Sequence, residues 1–374
     1  MIEERPLTWA EVDLSAVAHN VRELRRWLGP EIQLLPIVKA NAYGHGAVEV
    51  ARTVLGHGAD ALGVARVGEG VALRRERVYA PILVMGHTPI WNAEEVVAHA
   101  LTPTVNDLDL GRALSQIAEK RMVSLPVQIK VDTGLIRYGS LPDEAVELAA
   151  GLSQLPNLNL EGIYTHFACG DDEDSEFTGE QLASFVEVVR RLAERGVEFR
   201  FQHAGHVTNV GTPGLHLNMV RIGLAVYGLS PAPNMAEEMD LRPAMSLKSR
   251  LIRIAEIECG ASVGYGRTFV AERKTKVGTV PIGYGDGLDW RLQNRGQALV
   301  RGRRVPLIGR VSMDNVTLDL TDLPEATVGD EVVLMGRQGA ESIRAEEIAG
   351  LSGTISYDVT CSITARVPRV YVGE

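Results

Sequence analysis

Several side chains that can accept a proton or carry a positive charge come directly after apolar, strand-like runs of the sequence. These side chains are Lys39, Tyr43, Asp132, Arg137, His166, His203 and Arg221. Lys39 is the most informative, because it follows the apolar run 34–38 and a lysine is rarely buried without a partner. An amine shielded from water has a lowered pKa and can form a Schiff base with a carbonyl compound. The pattern therefore points to amine chemistry rather than to a solvated rim.

Eight short β-rich runs, most of them separated by helical patterns, must position these side chains. The runs are 33–40, 61–65, 81–86, 101–105, 127–132, 160–168, 199–205 and 219–228. The clearest helical patterns are 45–58, 67–76, 91–100, 110–121, 142–156 and 178–196, whereas 206–218 is rich in glycine and proline. Strands alternating with helices predict an α/β fold with a (β/α)8 TIM-type barrel, whose strand C-termini meet at one mouth. An open doubly wound sheet is the alternative, but it would typically have fewer strands.

The sequence pattern changes after residues 230–245. Alternating strand patterns then predominate, at 246–258, 275–283, 297–320, 329–336 and 363–373, with a helical pattern at 344–353. Such alternation is typical of antiparallel sheets with one buried face. We therefore predict a barrel domain over 1–240 and a mainly antiparallel β domain over 241–374. The strand-like opening, about the first 13 residues, is expected to pair with one domain or the other, the β domain being the candidate.

Composition excludes several classes of protein. The net charge of −10 argues against nucleic acid or an anionic membrane as the main partner. Three cysteines, Cys169, Cys259 and Cys361, are odd in number and far apart, which predicts packing residues in a reducing compartment. The N-terminus lacks the apolar core of a secretory signal, and no run approaches the ~20 apolar residues of a membrane span. A cytoplasmic protein is expected.

Pyridoxal phosphate is the cofactor that best suits a shielded lysine at a barrel mouth. The sequence contains no Walker A loop, no HExxH motif and no paired-cysteine spacing, so no metal site is predicted. The segment 56–63 only loosely matches GxGxxG and precedes a strand, so it does not predict dinucleotide binding.

Eight segments together resemble the pyridoxal-phosphate-dependent alanine racemase family of the barrel type. In order they are VKANAYGHG, KVDTGLIRYG, YTHFA, MVRIGLAVYG, VGYGRTF, PIGYGDG, GRVSMDN and TISYDVTCSITARVPR. They extend from residue 38 to residue 369, nearly the whole chain. Each segment is a weak pattern alone, but eight in the family's order are specific.

The resemblance implies the catalytic groups. Lys39 would carry the cofactor and act as base on one face of the substrate, and Tyr265 would act on the other. In the family this tyrosine enters the barrel mouth from the partner subunit, which implies a homodimer with composite sites. Arg221 would meet the pyridine nitrogen, and because a guanidinium keeps its proton, the cofactor becomes a weaker electron sink that favours simple proton exchange. His203 would orient Arg221, and His166 would lie between Arg221 and Tyr265.

The resemblance also implies substrate-binding groups. Arg137 would fix the substrate carboxylate by a bidentate pair. Met313 would offer its backbone N–H to the same carboxylate, with Asp314 in support. Lys130 lies where the family often has a carbamylated lysine, and an ordinary salt-bridged lysine is the alternative.

Phosphate binding is implied for Tyr43, Tyr357, Gly223 and Leu224. The family usually has a phosphate-binding serine where this chain has Val207, so either Thr208 substitutes or that contact is lost. Ser312 stands where a cysteine is common, which should lower sensitivity to oxidation. The lining of the family's substrate entryway is matched by Asp171, Tyr284, Arg291 and Arg310, for which a solvated arginine face is the alternative.

The implied function is interconversion of L-alanine and D-alanine, which supplies D-alanine for peptidoglycan. A serine or broad-specificity racemase and an amino-acid decarboxylase are the nearest alternatives on the same fold. Tyr357 favours alanine because a bulky phenol leaves little room beyond a methyl group. Tyr265 favours racemisation, and it also argues against a non-catalytic cofactor carrier, which would be expected to lack both this tyrosine and the β domain.

Overall fold

The computed structural model describes residues 6–170, 176–205, 217–229 and 239–373. The chain forms two compact units, each described separately. The α/β unit consists of Val17–Ala42 and Ala47–Arg242, and the β unit consists of Met1–Ala16, Tyr43–Gly46 and Pro243–Glu374. Among the described residues, no helix has both the length and the apolar character needed to cross a membrane.

Strand β1 (Trp9–Asp13) and helix α1 (Leu14–Leu28) open the described chain. The described part of the α/β unit then carries parallel strands β2 Gln33–Pro36, β3 Leu62–Val64, β4 Ile82–Val84, β5 Thr102–Pro103, β6 Leu125–Lys130, β7 Leu158–Tyr164, β8 Phe201–His203 and β9 Met219–Ile222. They pair as β2–β9, β3–β4–β5 and β6–β7–β8. Parallel bridges Ile37–Gly63 and Thr104–Gln128 connect β2 to β3 and β5 to β6.

The strand order is therefore β9-β2-β3-β4-β5-β6-β7-β8, which confirms the predicted parallel α/β architecture. Between β8 and β9 the described residues share a backbone hydrogen bond from Asn218 N to Gln202 O (3.3 Å) without forming a strand ladder. A closed barrel remains a prediction. Most of the predicted glycine- and proline-rich segment 206–218 lies outside the described residues.

Helices follow the strands of the α/β unit as the periodic patterns predicted. They are α2 Ala47–Gly56, α3 Val67–Arg75, α4 Ala93–Ala98, α5 Leu108–Lys120, α6 Pro142–Leu152 and α7 Glu176–Glu194. Helix α5 illustrates the cause, since Asp107 caps it by accepting the backbone N–H of Leu110 (2.8 Å). It then buries Leu110, Leu114 and Ala118 at the spacing of one helical face.

The β unit is built around one large sheet. Its strands are β10 Met245–Arg250, β11 Arg253–Ile257, β12 Ser262–Val263, β13 Phe269–Val270, β14 Thr275–Val280, β15 Gln297–Val300, β16 Arg303–Ile308, β17 Val316–Asp319, β18 Glu331–Gln338, β19 Glu341–Ile343 and β20 Arg369–Val372. The sheet order is β11-β14-β17-β16-β15-β18-β10-β1-β20, with β19 on β18 and a separate β12–β13 pair. The pairs are antiparallel except β1–β20, which confirms the predicted antiparallel β domain. Two helices follow, α8 Ala345–Ser352 and α9 Ser356–Cys361.

Short 3₁₀ helices complete the described secondary structure at Ile90–Asn92, Leu224–Tyr227, Tyr265–Arg267, Tyr284–Asp286 and Trp290–Leu292. Three of them, in the β unit, carry side chains that the sequence analysis selected. The expectation that all three cysteines pack in the interior is wrong for Cys259 and Cys361, which are exposed, while Cys169 is half-buried.

Candidate active site

Lys39 lies where the chain leaves β2 in a rare backbone conformation. Residues 40–42 have φ values of 52°, 54° and 54°, a left-handed region that costs a residue with a Cβ about 1–2 kcal/mol. Asn41 helps to hold this turn, because its Oδ1 accepts the backbone N–H of Ala47 (2.9 Å). The sequence predicted a strand through residue 40, but β2 ends at Pro36. Lys39 is consequently half-buried on a constrained turn rather than on a strand.

Arg221, on β9, is only 7% exposed and lies among neutral acceptors. Its NH1 donates to His203 Nδ1 (2.5 Å) and approaches the His203 carbonyl (3.4 Å). Its NH2 donates to the Thr165 carbonyl (2.7 Å), with His166 Nδ1 at 3.4 Å and the Gly205 carbonyl at 3.5 Å. Burial lowers the pKa of Arg221 to about 10, so the guanidinium stays charged at neutral pH.

One N–H group of the Arg221 guanidinium remains without an acceptor among the described residues. A guanidinium has five N–H groups, and those of NH1 and NH2 are directed at the acceptors just described. The Nε–H has no partner among the described residues. An acceptor atom of a bound group, such as an unprotonated ring nitrogen, would satisfy it.

His203 connects Arg221 to the interior of the α/β unit. Its Nε2 lies 2.8 Å from Gln128 Oε1, and its ring stacks on the ring of Tyr164 at 4.8 Å and 17°. The Arg221 guanidinium lies over the same Tyr164 ring, 4.8 Å from its centroid. Burial and the Arg221 charge hold the pKa of His203 well below its usual value, so this imidazole is neutral.

Lys130, at the end of β6, is a buried amine (6% exposed) without an ion pair or hydrogen bond among the described residues. Its Nζ lies 5.6 Å from the centroid of the Tyr138 ring. Burial, and then the positive charges of Arg137 and Arg221, lower the pKa of Lys130 to about 8. The described residues therefore do not support the alternative of an ordinary salt-bridged lysine.

Asp132 forms no ion pair with that lysine, although its negative charge partly offsets the lowering of the Lys130 pKa. Its carboxylate accepts backbone N–H groups from Gly134 (3.0 Å), Ile136 (2.9 Å) and Arg137 (3.0 Å). Because both carboxylate oxygens are occupied by the backbone, Asp132 shapes the loop 132–137. This loop presents the exposed side chain of Arg137.

The backbone predicted to bind phosphate follows β9 directly. Gly223 precedes the 3₁₀ helix Leu224–Tyr227, whose side chains are buried. The hydroxyl of Tyr227 donates to the carbonyl of Ile37 (2.7 Å), beyond the end of β2. This bond fixes the Gly223–Leu224 backbone relative to the strand that precedes Lys39.

In the β unit, the two tyrosines predicted at the phosphate lie beside each other. The ring centroids of Tyr43 and Tyr357 are 5.6 Å apart. Burial and the neighbouring Tyr357 and Cys361 raise the pKa of Tyr43, so its phenol keeps its proton and can donate. Arg369 supports both segments by donating to four carbonyls, of Gly44 (2.8 Å), Ile363 (2.6 Å), Thr364 (2.7 Å) and Val367 (2.7 Å).

The remaining predicted groups of the β unit lie on its surface. Tyr265 is 72% exposed, Met313 52% and Tyr284 45%. Arg310 lies over the Trp290 ring, 5.9 Å from its centroid. Arg291 forms an ion pair with Asp289 (2.6 Å).

Two of these surface segments are tied together. Tyr284 N donates to Ser312 O (3.0 Å) and Gly285 N donates to Met313 O (2.9 Å). Arg366 adds an ion pair to Asp314 (2.7 Å) and a longer one to Asp286 (3.4 Å). Met313 and Tyr284 therefore lie on two segments that are hydrogen-bonded to each other, and Asp314 helps to connect them through Arg366.

Two predicted residues, Thr208 and Asp171, lie outside the described residues, as does Val207. Sequence reasoning missed Gln128, Tyr164 as a stacking partner, and Arg369. Gln128 had a detectable signal, because it alternates with Lys130 and Asp132 at period 2 and interrupts an apolar strand. Arg369 could not be identified from the sequence, since its four acceptors are backbone carbonyls, which every residue has.

Two family models match this chain, one over most of the α/β unit and one over most of the β unit. Residues 12–231 match the family model described as alanine racemase, N-terminal domain, and residues 244–371 match alanine racemase, C-terminal domain. The chain is 44% identical over 368 residues to alanine racemase of Symbiobacterium thermophilum, covering 98% of this chain and 97% of the relative. It is 40% identical to alanine racemase of Methanococcus maripaludis, covering 97% and 98%. The solved alanine racemase of Bacillus anthracis with bound L-Ala-P superposes with a TM-score of 0.92 at 35% identity, covering 99% and 96%.

Replacement of Arg369 by methionine is expected to destabilise the protein by more than ~2 kcal/mol, because it leaves four carbonyls without their charged donor. Urea unfolding measures this loss. Arg337→Met is the matched control, since Arg337 is exposed and donates only to the Gly339 carbonyl among the described residues, and it should change stability by less than ~0.5 kcal/mol. Equal effects of the two substitutions would contradict the supporting role of Arg369.

Proposed function

Because the chain belongs to the alanine racemase family, we propose that it interconverts L-alanine and D-alanine with pyridoxal phosphate and two bases, Lys39 and Tyr265. The enzyme is an isomerase, and it would supply D-alanine for peptidoglycan. The observation that carries the proposal is the Nε–H of Arg221, which has no acceptor among the residues that the structure describes and fits an unprotonated pyridine nitrogen. Pyridoxal phosphate, when bound, makes the Cα–H bond of an amino acid acidic enough to break.

The residues of this chain divide the remaining tasks. Lys39 would hold the cofactor and move a proton at one face of the Cα atom, while Tyr265 would move one at the other. Arg221 stays protonated at neutral pH because its pKa is about 10. A guanidinium at this position would not give a proton to the ring nitrogen of the bound cofactor, which would limit electron withdrawal and favour return of a proton to Cα. His166, within 3.4 Å of Arg221, would lie toward the second base.

Binding of the phosphate and the carboxylate would use the groups described above. The ring of Tyr43, whose phenol keeps its proton, lies beside the ring of Tyr357, and both would bind the phosphate. The backbone N–H groups of Gly223 and Leu224, held in place by Tyr227, would bind it as well. Thr208 is proposed in place of the usual serine. Arg137 and the backbone of Met313 would hold the substrate carboxylate. Arg291, Arg310, Tyr284 and Asp171 would line the entryway.

We also propose that the strands of the α/β unit close as a (β/α)8 barrel. The continuous order from β9 through β2 to β8 supports closure, as does the backbone hydrogen bond from Asn218 to Gln202. The domain division proposed from the sequence, 1–240 and 241–374 with the first residues on the β domain, is supported by the pairing of β1 with β10 and β20.

The first prediction concerns the two faces of the substrate. In deuterium oxide the wild-type enzyme should exchange the Cα proton of both enantiomers and racemise alanine. Tyr265→Phe should exchange D-alanine, with retained configuration, faster than L-alanine, because Lys39 still serves one face. Proton NMR and chiral chromatography measure the two rates. Tyr79→Phe, which alters another exposed tyrosine, is the control.

Equal slowing for both enantiomers would contradict the assignment of faces. Racemisation of L-serine at a higher kcat/KM than L-alanine would replace the substrate by serine, the alternative on the same fold. Release of carbon dioxide would indicate a decarboxylase instead.

A second prediction concerns assembly as a homodimer with composite sites. Tyr265, Tyr284 and Met313 are exposed on the β unit of a single chain, which supports their use by a partner. Mixing Lys39→Ala dimers with Tyr265→Phe dimers under subunit exchange should restore activity. Random pairing gives half heterodimers, each with one intact site, hence about a quarter of wild-type activity. No gain, although exchange is verified by mass spectrometry, would contradict composite sites.

A third prediction concerns Lys130, which we propose to be carbamylated. At a pKa of about 8, about a tenth of the amine is neutral at pH 7 and can add to carbon dioxide, releasing one proton. The resulting anion would be stabilised by the positive charges of Arg137 and Arg221. In ¹³C-bicarbonate the protein should give a carbamate signal that is lost in Lys130→Arg. Lys248→Arg is the control, since Lys248 is paired with Glu11 (2.6 Å).

Retention of the carbamate signal in Lys130→Arg would assign it to another amine. Absence of the signal from the wild type would leave Lys130 as an unmodified lysine.

A further inference from the structure

We propose that Gln128 is a positioning residue that fixes the tautomer and ring orientation of His203 and thereby aims Arg221. The inference about the proton on His203 stands independently, while its consequence for catalysis rests on the proposed function. Gln128 is 2% exposed, His203 is fully buried and Arg221 is 7% exposed. The chain of contacts runs from Gln128 Oε1 to His203 Nε2 (2.8 Å) and from His203 Nδ1 to Arg221 NH1 (2.5 Å).

The positions of the protons follow from what Arg221 can do. A guanidinium only donates, so His203 Nδ1 must be the acceptor and carries no proton. A neutral imidazole then has its proton on Nε2, and Gln128 must present its oxygen rather than its NH₂ group to accept that proton. The reverse arrangement would place an imidazole N–H against an arginine N–H. One assignment alone satisfies all three side chains.

A neutral acceptor suits this position better than a carboxylate does. A carboxylate beside Nε2 would stabilise the imidazolium, which carries protons on both nitrogens. The second proton, on Nδ1, would face Arg221 NH1 and remove its acceptor. Glutamine accepts the Nε2 proton without attracting another one, so His203 can remain the acceptor that Arg221 requires.

The surroundings fix Gln128 in place. It lies in β6, and the backbone of Gly162 in β7 packs directly against its side chain. A Cβ built on Gly162 would lie 2.8 Å from Gln128 Cδ, closer than van der Waals contact allows. The absence of a side chain at Gly162 thus leaves the space in which the amide sits. Gly162→Ala would displace Gln128 without changing its chemistry.

The hydrogen bond to Gln128 is needed to orient the His203 ring, because stacking on Tyr164 alone does not distinguish the two ring orientations. The ring lies flat on Tyr164 (17°), and a half-turn about the Cβ–Cγ bond preserves that stacking. The half-turn would exchange Nδ1 for a carbon and leave Arg221 NH1 without its nearest acceptor. The Nε2–Gln128 hydrogen bond opposes it. The direction of the Arg221 Nε–H therefore depends on Gln128, which forms no hydrogen bond with Arg221 in the described part of the chain.

The test is ¹⁵N NMR of the holoenzyme labelled at its nine histidines, with His203 assigned from its loss in His203→Asn. In the wild type the His203 proton should be on Nε2, with Nδ1 unprotonated. A proton on Nδ1 would overturn the proposal, and this measurement requires no variant at position 128. Gln181→Met, which removes another buried glutamine amide from the same unit, should leave the His203 signals unchanged.

The variants then test the consequence. Gln128→Met and Gly162→Ala should both move the Nε2 proton signal upfield, as its hydrogen bond is lost or stretched. Both should lower kcat/KM for alanine roughly tenfold to a hundredfold, the effect expected of a small misplacement. Gln128→Glu should add a proton at Nδ1 and lower kcat/KM at least as far. Unchanged His203 signals and kcat/KM in Gln128→Met would overturn the proposal, and if that variant does not fold, the same result in Gly162→Ala would do so.

The two proposals fail separately. If the wild-type protein racemises no amino acid while His203 carries its proton on Nε2 and Gln128→Met shifts that signal, the positioning role stands and the proposed function falls. If the enzyme racemises alanine and the His203 signals are unchanged in both Gln128→Met and Gly162→Ala, the proposed function is supported and the positioning role is refuted.

Discussion

Arg221 is a buried cation that forms no ion pair with a carboxylate among the described residues. Several elements of the α/β unit are arranged so that other groups stabilise its charge. Placing a cation out of water is unfavourable unless hydrogen bonds replace its hydration. The structure supplies carbonyls from the ends of β7 and β8, an imidazole nitrogen and the face of an aromatic ring. These acceptors come from different strands, so the register of β7, β8 and β9 has to be right before the cation is satisfied. Burial lowers the pKa of Arg221 to about 10, so the guanidinium keeps its charge at neutral pH.

Several positive charges lie near Arg221, although the protein as a whole is acidic. The chain as a whole has a net charge of −10, but Arg221, Arg137 and Lys39 all act on the buried amine of Lys130 and lower its pKa. The carboxylate of Asp132, whose charge partly offsets this effect on Lys130, accepts three backbone N–H groups. A bound phosphate, a substrate carboxylate or a carbamate would each contribute negative charge here. The local field thus favours anionic ligands although the overall charge does not.

Sequence patterns predicted the architecture well because strands and helices obey simple periodicities. The alternation of parallel strands with helices and the antiparallel β domain are confirmed. Within the α/β unit, Arg221 lies within hydrogen-bond distance of His203 and 3.4 Å from His166. Periodicity could not predict side-chain partnerships formed between distant strands. In the sequence Gln128 is only a polar residue within an apolar strand. Its role becomes visible when the fold places it next to His203, 75 residues further along the chain. Arg369 is less predictable still, since a guanidinium that binds four carbonyls leaves no complementary residue type in the sequence.

The segment around Lys39 shows how close contacts determine residue types that look arbitrary in the sequence. Gly44 and Gly46 have φ values of +87° and +98°, which residues with a Cβ rarely adopt. Within the β unit, a Cβ at Gly44 would lie 2.2 Å from the Thr360 carbonyl oxygen, and one at Gly46 would lie 1.9 Å from the Tyr371 hydroxyl. The backbone bearing Tyr43 therefore packs directly on the helix that carries Tyr357 and on the following strand. Gly44 and Gly46 are therefore needed for two reasons, namely their left-handed φ values and the space that a Cβ would take from these close contacts.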